Sequence, residues 1–149
     1  MTSDVEILLV EDNASDAEMT TVALKRNNLS NKLLHVKDGA AALDFIFGEG
    51  EYTGRNIENK PKVILLDLKM PKVDGIEVLR EIKSSPTLRL IPVVMLTSSR
   101  EEQDLVRSYE LGVNAYVVKP VDFQQFMDSI RKLGVFWILV NEPPVGPAA

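Results

Sequence analysis

Apolar residues in this chain gather into short runs that each stop at a polar residue. Ile7-Leu8-Leu9-Val10 stops at Glu11-Asp12, and Val63-Ile64-Leu65-Leu66 stops at Asp67. Val93-Val94-Met95-Leu96 stops at Thr97, and Ala115-Tyr116-Val117-Val118 stops at Lys119. Unbroken runs of this length, rich in β-branched residues, predict strands buried on both faces. Between the runs the apolar spacing changes to three and four residues, the period of a helix.

The first strand is expected at Ile7–Val10, with a helix from about Ala17 to Arg26 opened by a capping box of Ser15 and Glu18. The second strand is Leu33–Val36. Asp38-Gly39 turns the chain into a helix that reaches Phe47, with Leu43, Ile46 and Phe47 inward. The third strand is Val63–Leu66. Its helix follows Asp74-Gly75 and ends before Pro86, with Val78, Leu79 and Ile82 inward. The fourth strand is Val93–Leu96, and the helix after it starts past Ser99 and stops at Gly112. The fifth is Tyr116–Val118, followed from Asp122 by a helix with Phe123, Phe126, Met127, Ile130, Leu133 and Trp137 along one face.

Five βα units predict an α/β fold, because right-handed crossovers place helices on both faces of a parallel sheet. The expected form is a flavodoxin-like (βα)5 doubly wound sheet with strand order 2-1-3-4-5. Ligands of such sheets bind outside the carboxyl ends of the strands, at the switch point between strands 1 and 3. That brings Glu11, Asp12 and Asp67 to one rim.

The chain has 149 residues, enough for one domain with a real core. Residues 1–140 are expected to form that domain, with an extended last helix. Asn141–Ala149, with three prolines and a glycine, is expected to be a flexible tail, with no output domain. Gly48–Lys62 is expected to be a long polar connection. A net charge of −5 with scattered Lys and Arg disfavours nucleic-acid binding. The longest apolar stretch, Val135 to Val140, is too short to cross a membrane, and the N-terminus lacks a signal-type segment. Cytoplasmic localisation is the expectation, and the absence of cysteine rules out thiol chemistry.

Three carboxylates converging on a small volume repel one another unless a cation sits among them. Mg²⁺, or Mn²⁺ in its place, is the fitting ion: hard, oxygen-seeking and commonly shared between carboxylates and a phosphate. Thr97 and Lys119 arrive from the next two strands, and a hydroxyl with an ammonium suits a phosphoryl oxyanion. A Lys-Pro step directly after a strand makes Pro120 a cis-peptide candidate. His35, the one histidine, reads as a packing or edge residue away from the rim. Asp38 reads as a helix cap, and Asp16 as an acid favouring the start of the first helix.

Four motifs in order resemble the signature of response-regulator receiver domains. They are Glu11-Asp12-Asn13, Leu66-Asp67-Leu68-Lys69-Met70-Pro71 with Asp74-Gly75, Leu96-Thr97-Ser98, and Tyr116-Val117-Val118-Lys119-Pro120. The resemblance covers about residues 5 to 135. It implies that Asp67 accepts a phosphoryl group from the phosphohistidine of a sensor kinase. Asp12 and Asp67 would ligate the metal directly, Glu11 through a water, and Lys69 through its backbone carbonyl. Thr97 and Lys119 would hold the phosphoryl oxygens, and Tyr116 would be the switch aromatic that turns inward when Thr97 moves. The surface of helix 4, strand 5 and helix 5 would then change. Lys69 and Ser99 occupy positions that in the family tune attack of water on the acyl phosphate.

Other chemistries fit less well. A dehalogenase-type phosphatase wants an acid where Lys69 stands, and no Gly-Lys-Ser/Thr loop is present for GTPase chemistry. Glu11 and Asp12 would repel a flavin phosphate. A receiver-like docking module that works without phosphorylation is the remaining alternative. Within the family, the Gly48–Lys62 loop, Ser108-Tyr109-Glu110-Leu111 and Phe136-Trp137 resemble the small regulators paired with bacterial phytochrome kinases. Expected partners are therefore a sensor histidine kinase, light-sensing if that subfamily holds, and a histidine phosphotransfer protein. Phe136 and Trp137 are candidates for a homodimer face formed with strand 5 and helix 5. The chain is expected to catalyse only its own phosphotransfer and dephosphorylation.

Overall fold

A computed structural model describes residues 5–25, 33–70, 73–113 and 115–133. The strands are β1 (Ile7–Val10), β2 (Leu33–Val36), β3 (Val63–Asp67), β4 (Val93–Thr97) and β5 (Ala115–Val118). They alternate with α1 (Ala14–Lys25), α2 (Gly39–Phe47), α3 (Gly75–Ser84), α4 (Arg100–Ser108) and α5 (Phe123–Leu133). All pairings are parallel, in the order β2-β1-β3-β4-β5. This is the doubly wound flavodoxin-like sheet that the alternation of runs predicts.

Every residue of β1, β3 and β4 is buried, because these three strands are covered on both faces. Side chains alternate between the faces. Leu8, Val10, Ile64, Leu66, Val93 and Met95 pack with Phe45 and Ile46 of α2, Val78, Leu79 and Ile82 of α3, and Val106 of α4. Ile7, Leu9, Val63, Leu65, Val94 and Leu96 pack with Ala17 and Leu24 of α1 and with Phe126, Met127 and Ile130 of α5. Asp74 caps α3 by accepting the Glu77 N–H at 2.9 Å, which starts the helix in register for Val78, Leu79 and Ile82 to face the sheet. All three are fully buried, so truncating Leu79 to alanine would cost about 2–5 kcal/mol.

Several local expectations are corrected. α1 begins at Ala14, not near Ala17, because Asn13 Oδ1 accepts the Asp16 N–H at 2.9 Å and so provides the cap in place of Ser15. In α2 the buried stripe is Ala42, Phe45 and Ile46, an i, i+3, i+4 set. Leu43 and Phe47 sit on its flank, only partly buried. α4 ends at Ser108 rather than at Gly112, since Glu110 adopts a φ of 53° that a helix cannot continue through.

The connection from Gly48 to Lys62 is more structured than a polar linker. Gly50–Tyr52 forms a 3-10 turn. The Tyr52 ring meets Phe45 edge-on, with centroids 5.1 Å apart. The Arg55 guanidinium lies 3.9 Å from the centre of the Phe45 ring. Phe45 thus carries both an aromatic and a cation contact that anchor the loop to α2. Phe136, Trp137, the apolar extension of the last helix and the proline-containing tail lie outside the described residues. Among the described residues no helix is long and apolar enough to cross a membrane.

Candidate functional site

Strand register brings the polar strand ends together. Val10 pairs with Leu66, so Glu11 and Asp67 come next to each other as β1 and β3 end. Thr97 pairs with Val118, and the Lys119 N–H donates to the Thr97 carbonyl at 2.8 Å. Gly75 lets the start of α3 close against this rim. Its N–H donates to the Leu68 carbonyl at 2.9 Å, and a Cβ there would collide with the Asp67 carbonyl.

Glu11, Asp12 and Asp67 bring one carboxylate oxygen each within 4.8 Å of one another. Glu11 is fully buried and Asp67 is 3% exposed, whereas Asp12 is open to solvent. Lys119 Nζ lies 3.2 Å from Asp67 Oδ1, 3.4 Å from Glu11 Oε1 and 3.4 Å from Asp16 Oδ2. Burial, together with a hydrogen bond and repulsion from Glu11, pushes the Asp67 carboxyl up to about 7, against the opposing pull of Lys119. Burial alone would lower the Lys119 ammonium. The facing carboxylates of Asp67, Glu11 and Asp16 overcome that and hold it above its ordinary value. The Lys119–Pro120 bond is cis.

The donor set fits a hard divalent cation. The three clustered acids offer oxygens at mutually compatible distances, two of them buried. The Asp67 carboxyl is raised first by burial and then by the neighbouring Glu11, and a cation beside it would offset both. Oxygen donors of this kind suit Mg²⁺ or Mn²⁺ rather than a thiolate-seeking metal.

Thr97 is fully buried at the end of β4, and its Oγ1 accepts from Gln103 Nε2 at 3.3 Å. It does not cap α4; that role falls to Ser99, whose Oγ accepts the Glu102 N–H at 3.2 Å. The Lys69 side chain is exposed, with Nζ 3.4 Å from Glu102 Oε2. Tyr116 is half-buried against the core, and the Arg107 guanidinium sits 4.6 Å from the centre of its ring. Among the described residues its hydroxyl is buried without a hydrogen-bond partner, and burial pushes the phenol up.

His35 is closer to the site than its place in β2 suggests. Its Nε2 lies 2.7 Å from the Glu11 carbonyl, so Nε2 must carry the proton, since a carbonyl only accepts. Asp16 likewise does more than complement the helix dipole, because it is a third carboxylate on Lys119. The sequence signal for Asp16 is Asn13: a helix capped there starts beside Glu11 and Asp12, which puts Asp16 in its first turn.

Residues 7–131 match the family of response regulator receiver domains. The chain belongs to that family, whose members work in two-component systems with sensor histidine kinases. It is 42% identical to Response regulator Rcp1 of Synechocystis over 132 residues, covering 89% of this chain and 88% of Rcp1. Among solved structures it resembles the bacteriophytochrome response regulator RtBRR at 60% identity and a TM-score of 0.85, covering 97% of this chain and 86% of that one. It resembles the bacteriophytochrome response regulator AtBRR at 59% identity and a TM-score of 0.86, covering 95% and 100%. A structure of Rcp1 in its Mn²⁺-bound form matches at 41% identity and a TM-score of 0.69, covering 89% and 94%. The chain is thus a receiver homologous to phytochrome response regulators.

Proposed function

We propose that this receiver accepts a phosphoryl group on Asp67 from the phosphohistidine of a sensor histidine kinase. A carboxylate oxygen of Asp67 attacks phosphorus, an O–P bond forms and the P–N bond to imidazole breaks. The imidazole leaves with the bonding pair and takes up a proton, and Asp67 becomes an acyl phosphate. The observation that carries this reading is the buried Asp67 carboxylate with Lys119 Nζ 3.2 Å away and Glu11 and Asp12 beside it.

Glu11, Asp12 and Asp67 are the side chains that would hold Mg²⁺, Glu11 through a water, with the Lys69 backbone carbonyl as a further ligand. An ion held there would neutralise charge on the transferring group. Lys119 supplies a fixed positive charge to one phosphoryl oxygen, and the Thr97 hydroxyl donates to another after leaving Gln103. Movement of Thr97 opens space on the Tyr116 side of β4. The half-buried ring then has a reason to turn inward, changing the surface of α4, β5 and α5.

The 60% and 59% identities to bacteriophytochrome response regulators favour a light-sensing kinase as the donor. The phosphoryl group would pass on to a histidine phosphotransfer partner or be lost to water, and the chain catalyses no other reaction. A homodimer through β5, α5 and the Phe136–Trp137 extension is part of this reading. Its check is sedimentation of the chain beside one ending near Leu133, and loss of the dimer only in the shorter chain supports it.

Beryllofluoride, a phosphoryl mimic, tests the chemistry. With Mg²⁺ present it should bind the chain tightly and fail to bind an Asp67→Asn variant. No binding, or binding indifferent to that substitution, favours a docking module that works without phosphorylation.

A further inference from the structure

Glu102, on the first turn of α4, reaches back toward the site. Its side chain is 13% exposed, and its Oε2 lies 3.4 Å from the Lys69 ammonium. Its Oε1 accepts the Ser98 N–H at 2.7 Å. An ordinary capping box would return this carboxylate to the N–H of the cap residue, Ser99. Here it goes one residue further, to Ser98, and collects a cation as well.

The two groups it collects come from the segments that leave the sheet beside Asp67. Lys69 follows Asp67 by two positions and Ser98 follows Thr97 by one. β3 and β4 are neighbours, with Asp67 opposite Leu96. An ammonium and a backbone N–H converging on one carboxylate make an oxyanion-binding pair. A phosphoryl group on Asp67 presents the same chemistry to the same two donors.

We propose that Glu102 is an internal stand-in for the phosphoryl group. It occupies Lys69 and the Ser98 N–H while Asp67 is unmodified, and it is displaced from them when Asp67 carries phosphate. The inference rests on the reading of Asp67 as phosphoacceptor. Glu102 is a positioning residue, acting through Lys69 and the connection from β4 to α4. The neighbouring Gln103 holds Thr97 at 3.3 Å. The first turn of α4 therefore holds Lys69, Ser98 and Thr97 together, and phosphorylation would release that turn as a unit.

The test is titration of the full chain with beryllofluoride at saturating Mg²⁺, followed by calorimetry. Glu102→Gln keeps the shape and can still accept the Ser98 N–H but frees Lys69, so binding should tighten about two- to fivefold, the range of a solvent-exposed ion pair. Glu102→Ala frees both donors and should tighten binding roughly tenfold. In a Lys69→Ala background the gain from Glu102→Gln should vanish, whereas a general effect of removing negative charge would persist. Circular dichroism confirms the fold of each variant, and the isosteric Glu102→Gln carries the test if Glu102→Ala unfolds. Equal or weaker binding by folded Glu102→Gln, or a gain undiminished by Lys69→Ala, overturns the proposal. If the unsubstituted chain does not bind beryllofluoride at all, the phosphoacceptor reading fails and this inference fails with it.

Discussion

Lys119 Nζ lies 3.2 Å from Asp67 Oδ1 and 3.4 Å from Glu11 Oε1, so one ammonium is shared between two buried carboxylates. Neither acid is accessible enough for water to stabilise its charge. Lys119 and a divalent cation are therefore alternative and complementary sources of the positive charge the site needs.

Removing Lys119 should be costly for the fold as well as for phosphoryl binding. Lys119→Ala leaves the Glu11 and Asp67 carboxylates without their cation, a loss of about 3 kcal/mol by the usual cost of breaking a buried pair. Urea denaturation at pH 8 without divalent ions measures this. The loss should shrink at pH 5, where Asp67 takes up a proton and needs no counter-charge.

The Asp67 carboxyl, raised from 3.8 to about 7, makes stability depend on pH in a defined direction. The native state holds its proton more tightly than the unfolded chain, so stability contributed by the protonated form is present at low pH. It is lost as pH rises from about 4 through 7. Asp67→Asn removes this dependence. In chelator-treated protein at pH 8 the variant should be more stable than the unsubstituted chain by roughly 2–4 kcal/mol, with the difference near zero at pH 4. Adding Mg²⁺ should stabilise the unsubstituted chain selectively, by mass action.

Much of this site is legible in the residues that end the apolar runs. A parallel strand buried on both faces must be apolar until it emerges, so the first polar residue after each run marks the functional rim. Glu11, Asp67, Thr97 and Lys119 are visible for that reason. Asp16 and His35 are not, because each meets the site across elements distant in sequence, and Gln103 is not, because only the docked α4 turns its side chain back onto Thr97. Asp16 becomes visible only once Asn13 is known to be the cap. The inward face of α2 is similarly hidden: Phe45, Ile46 and Phe47 are consecutive and apolar, and only the docked helix selects Phe45 and Ile46 for burial.

Gly75 should tolerate no side chain. Its Cβ would strike the Asp67 carbonyl and the backbone of Leu68, so Gly75→Ala must displace the turn that carries the phosphoacceptor. A destabilisation of about 2–3 kcal/mol is expected, as for an overpacked core position. Thermal unfolding measures it.

His35 should matter to the metal although it is no ligand. Its Nε2–H donates to the carbonyl of Glu11 at 2.7 Å, fixing the backbone from which that acid projects. His35→Ala should weaken divalent-cation affinity about tenfold, the low end for a group supporting a metal ligand. His35→Gln, which retains a donor, should recover part of the loss. Calorimetric Mg²⁺ titration of both variants decides the point.

Intact-mass measurement after incubation with acetyl phosphate and Mg²⁺ tests the central claim most directly. The chain should gain the mass of one phosphoryl group, with the modification mapped to Asp67. The gain should disappear with Asp67→Asn or with chelator. A chain that gains no phosphoryl mass, or gains it equally with Asp67→Asn, contradicts the account.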